Sequence, residues 1–135
     1  MKGYLLDTWA WIEYYEGSET GAKVNKLLDS DEECFTSIVT VSELSDNYHR
    51  KDIVDNYTWK HTWGNVEANT RILSLRPDIA AEAGEIKSRE IKEHSDFSLI
   101  DAIILATARK HELRLISGDS HLKSKEICIE PPEKS

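Results

Sequence analysis

Basic residues are in short supply: 17 Lys and Arg face 25 Asp and Glu, a formal net charge of −8 over 135 residues. That balance excludes a broad cationic surface for holding nucleic acid, though not contact with a polyanion through a bound metal. The deficit is concentrated early, with three Lys against eight acids in residues 1–35 and 14 Lys and Arg against 17 acids from Thr36 onward. Cysteine is scarce as well. Cys34 and Cys128 have no CxxC partner and sit in apolar sequence, which argues against a disulfide framework and against a cysteine zinc site. No stretch approaches the roughly 18 apolar residues of a membrane span. The opening MKGYLLDTWAWIEYYEG has one Lys, a brief apolar segment and then carboxylates, unlike a signal peptide, so a soluble cytoplasmic protein is expected. There is no GxGxxG or P-loop for a nucleotide cofactor and no GxSxG elbow for a hydrolase triad. None of His49, His61, His94, His111 and His121 forms the i, i+4 pair of an HExxH zinc site, and His121, two residues past Asp119, could reach the cleft rim, though a surface turn explains it better.

What is present suits one compact domain over residues 1–130, with a disordered tail expected at 131–135 after the Pro131-Pro132 step. Short apolar runs alternate with helical spacing. Gly3 to Leu6 reads as a buried strand ending at Asp7, followed by a helix through Trp11, Ile12 and Tyr15 that Gly17 closes. A second helix spans Thr20 to Ser30, and Cys34-Phe35-Thr36 is a second strand. Thr40-Val41-Ser42-Glu43 matches a capping box opening a helix to about Arg50. Residues 52–68 give a weaker helical pattern through Val54, Tyr57, Trp59 and Trp63. Arg71 to Leu75 is a third strand, and Pro77 starts a helix through Ala80, Ala83 and Ile86. Ser98-Leu99-Ile100-Asp101 is a further capping box before an apolar helix, Leu113 to Ser117 a fourth strand and Ile127 to Ile129 an edge strand. Strands separated by helices imply an α/β three-layer sandwich, with a mostly parallel sheet of four to five strands flanked by helices.

Open parallel sheets bind ligands at the carboxyl ends of their strands, near a switch in strand order. Four acids fall there. Asp7 ends the first strand, Glu43 lies in the helix after the second, Asp101 opens the apolar helix and Asp119 follows the fourth strand. Each also has a purely structural reading: Asp7 as a helix cap, Glu43 and Asp101 as capping-box acids, Asp119 as a turn residue. Their convergence is what points to chemistry. Carboxylates crowded into one cleft raise each other's pKa values, and a hard divalent cation such as Mg²⁺ or Mn²⁺ relieves that repulsion.

The segments LLDTWAWIEYYEG, SELSD and SLIDAIILATARKHELRLISGDSHL resemble the successive motifs of PIN-domain ribonucleases, and most closely VapC-type toxins of toxin–antitoxin pairs. The likeness spans about residues 3–122. It implies that Asp7, Glu43, Asp101 and Asp119 are the catalytic and metal-holding acids of a Mg²⁺- or Mn²⁺-dependent endoribonuclease, with Thr8 and Ser117 as supporting oxygen donors. The reaction implied is in-line hydrolysis of an RNA phosphodiester, leaving 5′-phosphate and 3′-hydroxyl ends, with the nucleophile drawn from metal-bound water. A protein antitoxin and a homodimer are the implied partners. Trp9 departs from the family, which usually has a small polar residue there, and a bulky indole would narrow the cleft or alter substrate fit.

Three alternatives follow from the same residues. They are a PIN-domain nuclease of RNA processing, a degenerate PIN domain serving only as a scaffold, and a non-catalytic Mg-binding regulatory module of receiver type. A receiver wants paired acids after the first strand and a Lys near the last, and Asp7 stands alone here. The segment with Tyr48, Arg50, Lys51, Tyr57, Trp59, Lys60, His61 and Trp63 mixes aromatic and basic residues that could stack bases, though an amphipathic helix burying its aromatics explains it better. It would also serve as a groove for an antitoxin segment.

Overall fold

A computed structural model describes residues 3–50 and 58–131. Residues 132–135 of the expected tail, and Val54 and Tyr57 of the expected helix, lie outside the described residues. Five strands form one sheet: β1 (Tyr4–Leu6), β2 (Cys34–Ser37), β3 (Arg71–Leu73), β4 (Arg114–Ile116) and β5 (Cys128–Ile129). Their order is β3-β2-β1-β4-β5 and every pairing is parallel. The chain therefore winds outward from β1 through β2 to β3, then returns to the other side of β1 for β4 and β5. That reversal puts the switch point between β1 and β4, where a crevice opens at the strands' carboxyl ends.

The described helices are α1 (Thr8–Glu16), α2 (Glu19–Asp29), α3 (Ile38–His49), α4 (Trp59–Asn69), α5 (Pro77–Glu90) and α6 (Leu99–Lys110). The alternation of β1 divides the core in two. Leu5 faces an aliphatic cluster with Ile79, Ala83 and Ile86 of α5, and with Ile104, Leu105 and Ala108 of α6. Tyr4 and Leu6 face the other way, onto Trp11, Tyr15, Val24, Leu27, Leu44 and Val66 from α1 to α4. Period-two alternation along a strand with helices on both faces gives the three-layer sandwich the sequence implied. Trp59, Trp63 and Tyr48 pack against the second cluster, as expected for an amphipathic helix burying its aromatics.

Several polar groups inside the aromatic layer are satisfied by hydroxyls and main chain. The Trp11 indole N–H donates to Thr36 Oγ1 at 3.1 Å, Thr36 and Thr70 share a hydrogen bond of 2.8 Å, and Tyr15 donates to the Thr62 carbonyl at 2.7 Å. These side chains are buried, so each bond avoids the desolvation penalty of an orphaned polar atom.

Local signals mark most helix ends. Gly17 closes α1 in the left-handed region at φ 69°, where a side chain would be strained. Pro77 occupies the first turn of α5, whose buried face is Ile79, Ala83 and Ile86 while Ala80 is exposed. One boundary differs. The expected capping box at Thr40–Glu43 does not open α3; the helix starts at Ile38, directly after β2, and Ser37 caps it by accepting from the Val39 N–H at 3.2 Å. The β-branched run Ile38-Val39-Thr40-Val41 disguises this start, because such residues read as strand when packing is not known. Thr40 is instead a buried residue of the first turn.

Candidate active site

Asp7 follows β1 without a linker and caps α1, accepting from the Ala10 N–H at 3.0 Å. It is only 6% exposed. Burial, together with the negative charges of Asp119 and Glu43, pushes its carboxyl up to about 7, against the opposing pull of hydrogen bonds from Ser117 and Ala10. Ser117, the residue after β4, is buried as well, and its hydroxyl oxygen also accepts the Asp119 N–H at 3.1 Å. One serine thus links the acid after β1 to the acid after β4, across the switch point.

With Ser37 as the cap, Glu43 is free of the helix start and lies in the second turn of α3. Thr8 Oγ1 donates to its Oε1 at 2.5 Å. Partial burial raises the Glu43 pKa, the Thr8 bond lowers it, and the charges of Asp101 and Asp119 raise it further. Asp101 sits at the third position of α6 in a complete capping box: its N–H donates to Ser98 Oγ at 3.0 Å and its carboxylate accepts from the Ser98 N–H at 3.4 Å. Its pKa is raised by burial and then by the neighbouring Asp119. Asp119 forms a turn of its own, accepting the His121 N–H at 2.9 Å.

The four acids expected from the sequence therefore face one another electrostatically. Structural and cleft roles coexist at Asp7, Asp101 and Asp119, whereas Glu43 has no capping duty. The ion pairs among the described residues engage none of the four. Oxygen donors crowded with no Lys or Arg ion pair among the described residues suit a hard divalent ion, and His121 is the one neighbour whose charge offsets Asp101. Carboxylate oxygens of Asp101 and Asp119 and a ring nitrogen of His121 lie within 4.8 Å of one another. Of the two readings of His121 in the sequence, surface turn and cleft rim, both hold: it sits in the turn after Asp119 and its ring lies near Asp101 and Asp119. The two-residue offset from Asp119 was the available signal.

Trp9, the departure from the family pattern, packs beside the residue that precedes Asp119. Its six-membered ring lies against Gly118, where an added Cβ would come within 2.3 Å of the indole. The same indole lines a side cavity of about 220 Å³ with Lys23, Lys123, Ser117 and Gly118. A larger cavity of about 530 Å³, between α1, α2 and α4, contains none of the four acids and is lined by Tyr14, Tyr15, His61 and Asn65, among others.

No helix among the described residues is long and apolar enough to cross a membrane. Comparison with known proteins gives one family and a consistent set of folds. The PIN domain family model matches residues 4–127. No curated protein matches the chain by sequence. Among solved structures, a toxin–antitoxin complex from Klebsiella pneumoniae contains a chain 22% identical, with a TM-score of 0.74, covering 97% of this chain and 99% of that one. VapC20 of Mycobacterium tuberculosis, described as a sarcin–ricin loop cleaving toxin, aligns at 18% identity and a TM-score of 0.67, over 87% of this chain and 91% of that one. VapBC2 from Rickettsia felis, bound to a DNA fragment from its promoter, aligns at 14% identity and a TM-score of 0.70, over 93% and 95%. A parallel sheet that brings four carboxylates to its switch point, together with a family match over nearly the whole chain, makes this a member of the PIN domain family, a family of nucleases.

Proposed function

We propose that the chain is a Mg²⁺- or Mn²⁺-dependent endoribonuclease and the toxin of a toxin–antitoxin pair. The observation that carries the reading is the meeting of Asp7, Glu43, Asp101 and Asp119 at the β1–β4 switch point, where burial and neighbouring acids raise the pKa of Asp7, Glu43 and Asp101. Asp101 and Asp119 would hold the ion directly, with Asp7 and Glu43 completing the negative pocket. When bound, the ion supplies a nucleophile near neutral pH and charge stabilisation for the phosphoryl oxygens. Thr8 and Ser117 orient the two inner carboxylates through their hydroxyls. The carboxylates also exclude an RNA phosphate from the cleft unless a cation is present, so binding and chemistry share one requirement.

The toxin assignment draws on the near-complete overlap, in both directions, with a chain of a toxin–antitoxin complex. A protein antitoxin and a homodimeric assembly belong to the same proposal, with the groove between α1, α2 and α4 as a surface suited to an antitoxin segment. RNA processing outside a toxin–antitoxin pair is the competing use of the same site. The test is cleavage of a structured-RNA pool by the purified chain with Mg²⁺, with Mn²⁺ and with EDTA, alongside Asp7→Asn. Metal-dependent cleavage that disappears in the variant is expected. Equal cleavage by the variant, or cleavage undiminished in EDTA, overturns the assignment.

A further inference from the structure

Building on the proposed metal-holding role of Asp101 and Asp119, we propose that His121 is a nitrogen ligand to the same ion and that Asp96 orients it. Three observations meet at this side chain. A ring nitrogen lies within 4.8 Å of carboxylate oxygens of both Asp101 and Asp119. An ion about 2.1 Å from each donor holds opposite donors about 4.2 Å apart, so modest side-chain rotation closes the group. Second, Nε2 lies 3.2 Å from Asp96 Oδ2. A carboxylate on one ring nitrogen fixes the tautomer and leaves Nδ1 with its lone pair, the arrangement that metal-binding imidazoles use. Third, the ring is held in place. Its side chain is 17% exposed, Phe97 meets it edge-on at 5.7 Å between centroids, His94 flanks it at 5.9 Å, and its main-chain N–H is bound to Asp119.

A solvated turn histidine needs none of these partners. Asp96, by contrast, is 80% exposed, and among the described residues its ion pair is with His121. A nitrogen among oxygens also has a chemical consequence. Imidazole suits first-row transition ions, while Mg²⁺ is matched by oxygen alone, so His121 tilts the site toward the transition ion without excluding Mg²⁺.

Electron spin echo modulation of the full chain loaded with Mn²⁺ reads the ligand directly, since a coordinated imidazole imposes ¹⁴N modulation on the Mn²⁺ signal. One imidazole nitrogen is expected in the wild-type protein and none in His121→Gln. The Mn²⁺ Kd of that variant should rise at least about tenfold, the low end for losing even an outer partner of a metal, with a smaller rise for Mg²⁺. Asp96→Asn, a surface change, should keep the nitrogen signal and weaken Mn²⁺ binding by a lesser factor; unchanged binding there removes Asp96 from the proposal. Mn²⁺ held tightly by the wild-type chain, weakened by Asp101→Asn, yet without nitrogen modulation overturns the ligand role of His121 and leaves the acids intact. Asp101→Asn binding Mn²⁺ as tightly as wild type overturns the acid site itself.

Discussion

The two halves of the cleft are built on different principles. Asp7 and Glu43 form the inner half, set against the sheet and α1, and each is tied by a side-chain hydroxyl, Ser117 for one and Thr8 for the other. Asp101, Asp119 and His121 form the outer half, all partly exposed and positioned by local backbone motifs, a capping box and a turn. A hydroxyl tether fixes a carboxylate's direction, most firmly at buried Asp7, where water cannot compete, while Glu43 is itself partly exposed. Local motifs fix the main chain and leave carboxylate oxygens free. The inner half is thus suited to setting the field and the outer half to gripping an ion. Each prediction below tests that division.

The largest effect should come from the outer half. Asp101→Asn or Asp119→Asn should lower cleavage by 10²–10³-fold or more, the scale of removing one preorganised electrostatic partner. Both should also weaken Mn²⁺ binding in calorimetry, and neither should unfold the chain, since Asn still serves as a cap and turn residue. Asp7→Asn should cost comparable cleavage with a smaller loss of metal affinity. Equal losses of affinity in both halves would erase the distinction.

The pH dependence of stability isolates the buried acid of the inner half, Asp7. A carboxyl with a folded-state pKa of about 7 and an ordinary value of 3.8 keeps its proton in the folded chain after the unfolded chain has released it. The folded state then binds more protons, so stability falls as pH rises from about 4 through 7 and stays lowered above that. In EDTA, the urea midpoint of the wild-type chain should drop between pH 5 and pH 8 by on the order of 1 M. Asp7→Asn, which keeps the cap and carries no charge, should flatten most of that drop and be the more stable protein at pH 8. A variant that follows the wild-type profile would place the burden elsewhere.

The tether of Glu43 gives a smaller effect. Thr8→Val removes the 2.5 Å hydrogen bond and keeps the shape of the side chain. Cleavage should fall about 10–100-fold, as for loss of an orienting partner, with Thr8→Ser restoring most of it. Failure of Ser to rescue would show that Thr8 acts through packing.

How much of this was legible beforehand depended on whether the cause was local. The strand–helix alternation, the Ser98–Asp101 capping box, the Gly17 stop and the Pro77 start each depend on a few adjacent residues, and all lie where the sequence put them. The start of α3 did not, because Thr40-x-x-Glu43 mimics a capping box while Ser37, at the end of a strand, does the capping. That misplacement had a functional cost: it gave Glu43 a structural duty that it does not have. The offset from Asp119 put His121 within reach of the cleft rim, but its orientation was not legible, for a related reason. Its setting comes from Asp96 and Phe97, more than 20 residues away in sequence, and no spacing rule reports such a contact. The linkage of Asp7 to Asp119 through Ser117 likewise required the β1–β4 pairing, which motif order alone does not specify.

The smallest effect should arise where the halves join. Gly118 lies between Ser117, which reaches the inner half, and Asp119, which belongs to the outer, and Trp9 occupies the space where its side chain would be. Gly118→Ala forces either the indole or the main chain to move. Trp9 is only partly buried, so the indole can yield, and the cost should be about 1 kcal/mol, the low end for overpacking. If the main chain moves instead, Ser117 and Asp119 shift together and both the pH profile of stability and Mn²⁺ affinity change. Trp9→Ala should cancel most of the Gly118→Ala penalty in a double-mutant cycle, since the clash has a single source. Penalties that simply add would show that the residue at 118 meets something other than Trp9, and that the seam is held by the main chain alone.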